Sequence, residues 1–268
     1  MGVVLGYGGT DKIIFTSGGT ESVNLALLGC ARANRHSGKH IITSAVEHKS
    51  VLEVCKQLER EGFDVDYVGV DKNGRVSVDE VKRLLRSETV LVSIQYVNNE
   101  TGVIQPIAEI GEMLRGREGK NKVLFHTDAC QAGLLGLDVG QLGVDLLTLN
   151  SSKVYGPHGV GLLYVRKGVE ISPLMYGGGQ EYELRSGTEN VNGIVGFALA
   201  LSLLQKERKK EVKRLLELRK KFAVDLCAKI DGVVIVSEVK KSVPTILSVG
   251  FRGVEAETVV KSLSALGV

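Results

Sequence analysis

The chain has 268 residues, of which 43% are hydrophobic and 24% charged, and a formal net charge of +3. That length allows one large core, or one core and part of a second, while near-balanced charge, absent Trp and few aromatics speak against a nucleic-acid partner. No run approaches the roughly 20 apolar residues of a membrane span, and the opening Met1-Gly-Val-Val-Leu lacks the basic flank of a signal peptide, so a cytoplasmic protein with no membrane partner is expected.

In chain order, Lys12–Thr16 reads as a strand followed by a helix over 21–34, then His40–Ser44 and a helix over 49–61. Val65–Val70 precedes a helix over 78–86, and Thr89–Tyr96 precedes one over 106–116. Val123–Thr127, Leu146–Leu149 and Val160–Val165 complete the strands. Strand and helix alternating in this way predict an α/β fold with a mostly parallel central sheet and helices on both faces, because parallel strands require crossovers. Ligands in such folds gather at the carboxyl ends of the strands.

From Asn190 the pattern changes to two long helical segments, the second of which, Gln205–Lys229, carries a charge-dense run that reads as a solvated amphipathic face. Strands at Val233–Val236 and Thr245–Phe251 and a helix over Glu255–Leu266 open a second, smaller α/β unit. The expected division is a large ligand-binding domain over 1–204, with a linking helix and an incomplete small domain over 205–268.

The four cysteines, Cys30, Cys55, Cys130 and Cys227, are widely spaced. With no Cys-x-x-Cys pair and no His-Glu-x-x-His pattern among five histidines, neither a disulfide framework nor a protein-bound metal is expected.

The chemistry concentrates at strand ends. Lys153 lies in Thr148-Leu-Asn-Ser-Ser-Lys-Val-Tyr-Gly-Pro, in a loop leaving a buried strand. Asp128 ends the apolar strand of His126-Thr-Asp-Ala-Cys-Gln131, where a carboxylate is costly unless paired. Together they suggest a pyridoxal phosphate site, because that cofactor needs an amine nucleophile and a carboxylate that keeps its pyridine nitrogen protonated. The competing readings are a solvated lysine and an aspartate that caps the following turn.

Thr16-Ser-Gly-Gly-Thr-Glu21 joins a strand to a helix and reads either as a phosphate cup or as a plain Ser/Thr helix cap. His48 follows a strand and is suited to stacking on an aromatic cofactor. Asn99 and Gln131 suit a phenolic oxygen, or equally the backbone of their own loops. Gly6-Tyr-Gly-Gly-Thr-Asp is discounted as a dinucleotide fingerprint, since the third glycine is missing.

Taken in order, Thr-Ser-Gly-Gly-Thr-Glu-Ser, Val-Glu-His-Lys-Ser, Val-Asn-Asn-Glu-Thr-Gly, His-Thr-Asp-Ala-Cys-Gln, Ser-Lys-Val-Tyr-Gly-Pro-His-Gly and Arg185-Ser-Gly-Thr-Glu resemble the cysteine desulfurases of the NifS/IscS family, class-V aminotransferase-like enzymes. The resemblance runs from Ile13 to the end of the chain. It implies a fold-type-I pyridoxal phosphate enzyme, a homodimer, that removes sulfur from L-cysteine to give alanine and a persulfide. The sulfur passes to an acceptor or iron–sulfur scaffold protein, or into tRNA thiolation.

By the resemblance, Lys153 would hold the cofactor and act as acid and base, with His48 stacked on the ring and Asp128 paired with its nitrogen. Gln131 and Asn99 would contact its oxygen or the substrate. Gly19, Thr20, Asn150 and Ser152 would surround the phosphate, and Thr188 of a second subunit would complete it. Ser152 departs from the family's frequent histidine, and its hydroxyl supplies no imidazolium charge, so weaker phosphate binding is expected.

The segment Gly253–Val268 matches the family stretch that leads into a loop bearing the sulfur-accepting cysteine, and none of the four cysteines occupies that place. The chain therefore reads as truncated at both ends, with little persulfide formation expected of it. Selenocysteine lyase and cysteine sulfinate desulfinase are the enzyme alternatives. A non-catalytic scaffold that retains the fold is the alternative of another class.

Overall fold

The computed structural model describes residues 1–116, 122–237 and 241–268. Seven strands form one sheet: β1 (Lys12–Thr16), β2 (His40–Ser44), β3 (Asp64–Val68), β4 (Thr89–Ser93), β5 (Leu124–Asp128), β6 (Leu146–Asn150) and β7 (Gly161–Val165). Their spatial order is β1-β7-β6-β5-β4-β2-β3, and β7 alone runs against its neighbours. This is the mostly parallel α/β sheet expected of a fold-type-I enzyme.

Period-two alternation along the buried strands feeds two separate cores. Ile41, Leu91, Leu124, Leu146 and Leu163 point to one face, where α2 (Gly19–Ala33) and α3 (Lys49–Arg60) pack through Val23, Leu27, Val54 and Leu58. Ile42, Val92, Phe125, Leu147 and Tyr164 point to the other. That face is covered by α1 (Gly2–Leu5), α4 (Val78–Leu84), α5 (Ile107–Arg115), α6 (Val139–Leu142) and the first half of α7 (Val191–Lys229).

Two expectations change here. Where two helical segments were expected after Asn190, a single 39-residue helix, α7, runs across the anticipated boundary at 204/205. Its sequence has no proline, and no glycine beyond Gly196, so nothing interrupts the hydrogen-bond ladder when Phe197, Leu201 and Leu204 leave the core and the charged run enters solvent. The strand expected over Thr245–Phe251 shrinks to β9 (Val249–Phe251), paired with β8 (Val233–Ile235) and followed by α8 (Ala256–Ala265). Of the residues before β9, Ile246 O accepts from Arg219 and Ser248 N donates to Ser237 Oγ instead.

Candidate active site

Because β7 is reversed, β1, β2, β4, β5 and β6 all end at the same edge of the sheet, and their exit loops converge on one cavity of about 260 Å³. The size is near the lower end for small-molecule sites. From β1 come Gly19 and Thr20, from β2 His48, from β4 Asn99, from β5 Asp128 and Gln131, and from β6 Asn150 and Lys153. Ser50, Gln95, Val97 and Cys130 complete the wall.

The β1 loop enters α2 with Gly18 as N-cap and no side-chain cap, so the Ser/Thr-cap reading does not hold. Thr16 Oγ1 instead donates to Gly18 O and bonds Ser22 Oγ at 2.7 Å, while Ser17 N donates to Glu21 Oε2. The first amides of a 15-residue helix are thus left open, an anion-binding arrangement. Close packing, against backbone in one case and a side chain in the other, favours glycine at two points. A Cβ on Gly161, where β7 begins, would come within 2.5 Å of Gly18 backbone, and one on Gly19 would come 2.7 Å from Cys130 Sγ. Gly19→Ala is therefore expected to destabilise the fold by about 1–3 kcal/mol in urea denaturation, as overpacked sites do, with much of the loss restored by adding Cys130→Ala.

At the end of β5, Asp128 is buried and its Oδ1 accepts from Cys130 N at 2.9 Å. The turn-capping reading is thus real, but it engages one carboxylate oxygen. Burial pushes the Asp128 carboxyl above its ordinary value, against the opposing pull of that hydrogen bond and of His48. The Cys130 thiol is pushed far up by burial and by the neighbouring Asp128, which keeps it protonated and a poor nucleophile.

His48 is the N-cap of α3, where its Nδ1 accepts from Ser50 N at 3.2 Å and contacts Ser50 Oγ at 2.8 Å. With Nδ1 accepting, the proton of the neutral ring resides on Nε2. The preceding residue, Glu47, is buried and ties two loops together, its Oε1 accepting from Ser44 Oγ at 2.6 Å and from Gln95 N at 2.8 Å. Its Oε2 is buried with no hydrogen-bond partner among the described residues. Burial raises the Glu47 carboxyl to about 8, helped by Asp128.

The neighbouring asparagines divide the work of their turn. Asn98 serves the backbone, accepting from Glu100 N and Thr101 N, which leaves Asn99 to line the cavity. Asn150 Oδ1 accepts from Ser152 N and Ser152 Oγ, each at 3.3 Å, so Ser152 turns inward on its own loop and lies outside the cavity wall. Thr188 is also apart, in a separate cavity of about 120 Å³ with Arg185 and Glu181.

The donor set fits pyridoxal phosphate. It offers an exposed amine on Lys153, a buried carboxylate with bonding capacity to spare, open helix amides, and hydroxyl and amide side chains from Thr20, Ser50, Asn99, Gln131 and Asn150. Gln95 escaped sequence reading because it continues an apolar run taken as strand to Tyr96. A polar residue closing such a run was the available signal, as it was for Asp128.

The class-V aminotransferase family model matches residues 4–268. The chain is 45% identical to the cysteine desulfurase IscS of Dictyoglomus turgidum, over 97% of this chain and 65% of that one. It is 44% identical to cysteine desulfurase IscS 1 of Archaeoglobus fulgidus, over 97% and 67% respectively. The chain thus spans about two thirds of the length of these curated relatives. A solved structure described as a NifS-like protein superposes with a TM-score of 0.94 at 40% identity, over all of this chain and 72% of the other.

Proposed function

Since the chain belongs to the class-V aminotransferase family, among relatives that are cysteine desulfurases, we propose that its cavity is the cofactor site of a pyridoxal phosphate-dependent cysteine desulfurase acting on L-cysteine. The observation that carries this reading is the convergence of Lys153 and the buried Asp128 in one cavity with the open amides of α2.

When bound, pyridoxal phosphate supplies an electron sink through its protonated ring. The Lys153 amine would hold the cofactor and would serve as acid and base for the proton at the substrate α-carbon. Asp128, as a carboxylate, would accept the hydrogen bond of the ring nitrogen and keep its proton there. His48 would lie against the ring, with Nε2–H available to donate. Gly19, Thr20 and Asn150 would hold the phosphate, with Ser152 in support through Asn150, and Asn99 and Gln131 would orient the cofactor oxygen or the substrate.

A cytoplasmic homodimer is part of the proposal. Its support is that Thr188 is exposed outside its own chain's Lys153 cavity, beside the exposed apolar residues Val191, Val195 and Leu199 of α7. A second copy would bring Thr188 to the phosphate. Among the described residues Cys130 is the cysteine that lines the cavity, and its raised thiol does not suit it to accept sulfur. The persulfide step and the sulfur acceptor or iron–sulfur scaffold protein belong to the activity proposed for the whole protein.

Titrating pyridoxal phosphate into the apoprotein is expected to produce a visible absorbance band. A folded protein that develops none would overturn the proposal. Asp128→Asn is expected to weaken cofactor binding roughly tenfold to a hundredfold, the worth of one charge-assisted hydrogen bond. The same change is expected to raise the melting temperature of the apoprotein, because burial disfavours the anion it removes.

A further inference from the structure

We propose that Arg219 is a positioning residue for this site: from α7 it clamps the segment 241–246 against the turn that carries Asn99. Arg219 is buried, 6% exposed, and donates from Nη1 to Ser242 Oγ at 2.9 Å and to Val243 O at 2.7 Å. A buried guanidinium is costly unless such bonds satisfy it, and here the one nitrogen Nη1 ties both partners to α7.

The clamped segment in turn grips the turn after β4. Val243 N donates to Gly102 O at 2.9 Å, Ile104 N donates to Lys241 O at 2.9 Å, and Ser242 bridges Val103 in antiparallel register. Ser237 Oγ donates to Thr101 O at 2.7 Å and accepts from Ser248 N at 2.8 Å, which adds a second tie from the same side. Ile246 closes over Gly102, where a Cβ would come within 3.0 Å of it. On the opposite side, Asn98 Nδ2 donates to Val46 O in the loop that carries His48.

The Asn99 turn is therefore held between the His48 loop and a strap whose anchor is Arg219. Among the described residues none of the strap lines the cavity, so its influence passes through the placement of Asn99. The effect on a bound ligand rests on the pyridoxal phosphate reading, whereas the clamp itself does not.

The test is hydrogen–deuterium exchange on the full chain with Arg219→Lys, Arg219→Met and Ser242→Ala, alongside Leu201→Ala as a variant that weakens the core elsewhere. Exchange at the amides of Gly102, Ile104 and Val243 is expected to accelerate roughly tenfold or more in the clamp variants relative to the β5 amides, and not in Leu201→Ala. With pyridoxal phosphate added, Arg219→Lys is expected to displace the visible band in the direction that Asn99→Ala does, with no further displacement in the double variant. Unchanged loop exchange overturns the clamp, and additive spectral shifts overturn its action through Asn99. A folded wild-type protein that takes up no cofactor overturns the functional reading instead and leaves the exchange result to decide the clamp.

Discussion

Replacing Lys153 with alanine is expected to abolish covalent capture of pyridoxal phosphate while leaving the fold intact. The side chain is exposed, and among the described residues it makes no ion pair. Its turn is held by other groups: Ser151 N donates to Val160 O, and Ser151 O accepts from Val154 N and Gly156 N. Truncation at Cβ therefore removes the amine without removing the turn. Borohydride reduction followed by intact-mass measurement should fix one cofactor per wild-type chain and none per variant chain. Desulfuration by the complete protein should fall by on the order of 10^3-fold or more, since the variant loses both a nucleophile and a proton carrier. Equal labelling of both proteins would place the attachment elsewhere.

Glu47→Gln is expected to change the shape of the stability–pH curve. The Glu47 carboxyl is raised from its ordinary 4.5 to about 8, chiefly by burial. Between those values the native state keeps a proton that the unfolded chain has released. Native stability therefore falls as pH rises across this window and levels off above about 8. The full span is worth on the order of 5 kcal/mol at most. Glutamine keeps an oxygen for Ser44 and Gln95 and does not ionise, at about 1–3 kcal/mol for burying an amide where Oε2 has no partner. The variant should be no more stable than wild type at pH near 5 and should gain on it steadily toward pH 8. The difference between the two melting curves isolates this group, because Asp128 and the other raised carboxyls contribute to both proteins. Parallel curves would show that Glu47 does not hold its proton.

The sheet was legible because its strands are short apolar runs between polar loops. β1 and β2 have the predicted bounds, and helix α3 differs at one end by a single residue. The errors lie where sequence carries no local stop. α7 passes from core to solvent without a break in its helical pattern, and periodicity alone does not say whether a polar face belongs to a new element. The stretch after Pro244 has strand composition, but Arg219, twenty-odd residues earlier, takes its carbonyl at Ile246. Within the site, residues at strand ends were readable because a polar side chain closing an apolar strand needs an explanation. Ser152 was read as a phosphate neighbour by its position beside Lys153, whereas Asn150 claims its hydroxyl. Glu47 and Arg219 showed no signal, since a charged residue in a polar loop or a solvated helix looks ordinary until its burial is known.

The convergence of five strand-end loops on one cavity also bears on how the molecule resists denaturation. A ligand seated there touches residues delivered by β1, β2, β4, β5 and β6, so losing any of these strands releases it. No opening that removes one of these five strands leaves the ligand bound. Cofactor concentration then acts as a thermodynamic brake on the whole sheet, each tenfold excess over the dissociation constant adding about 1.4 kcal/mol to global unfolding. Amides on β5, at the centre of the sheet, should gain as much protection from saturating cofactor as those beside the ligand.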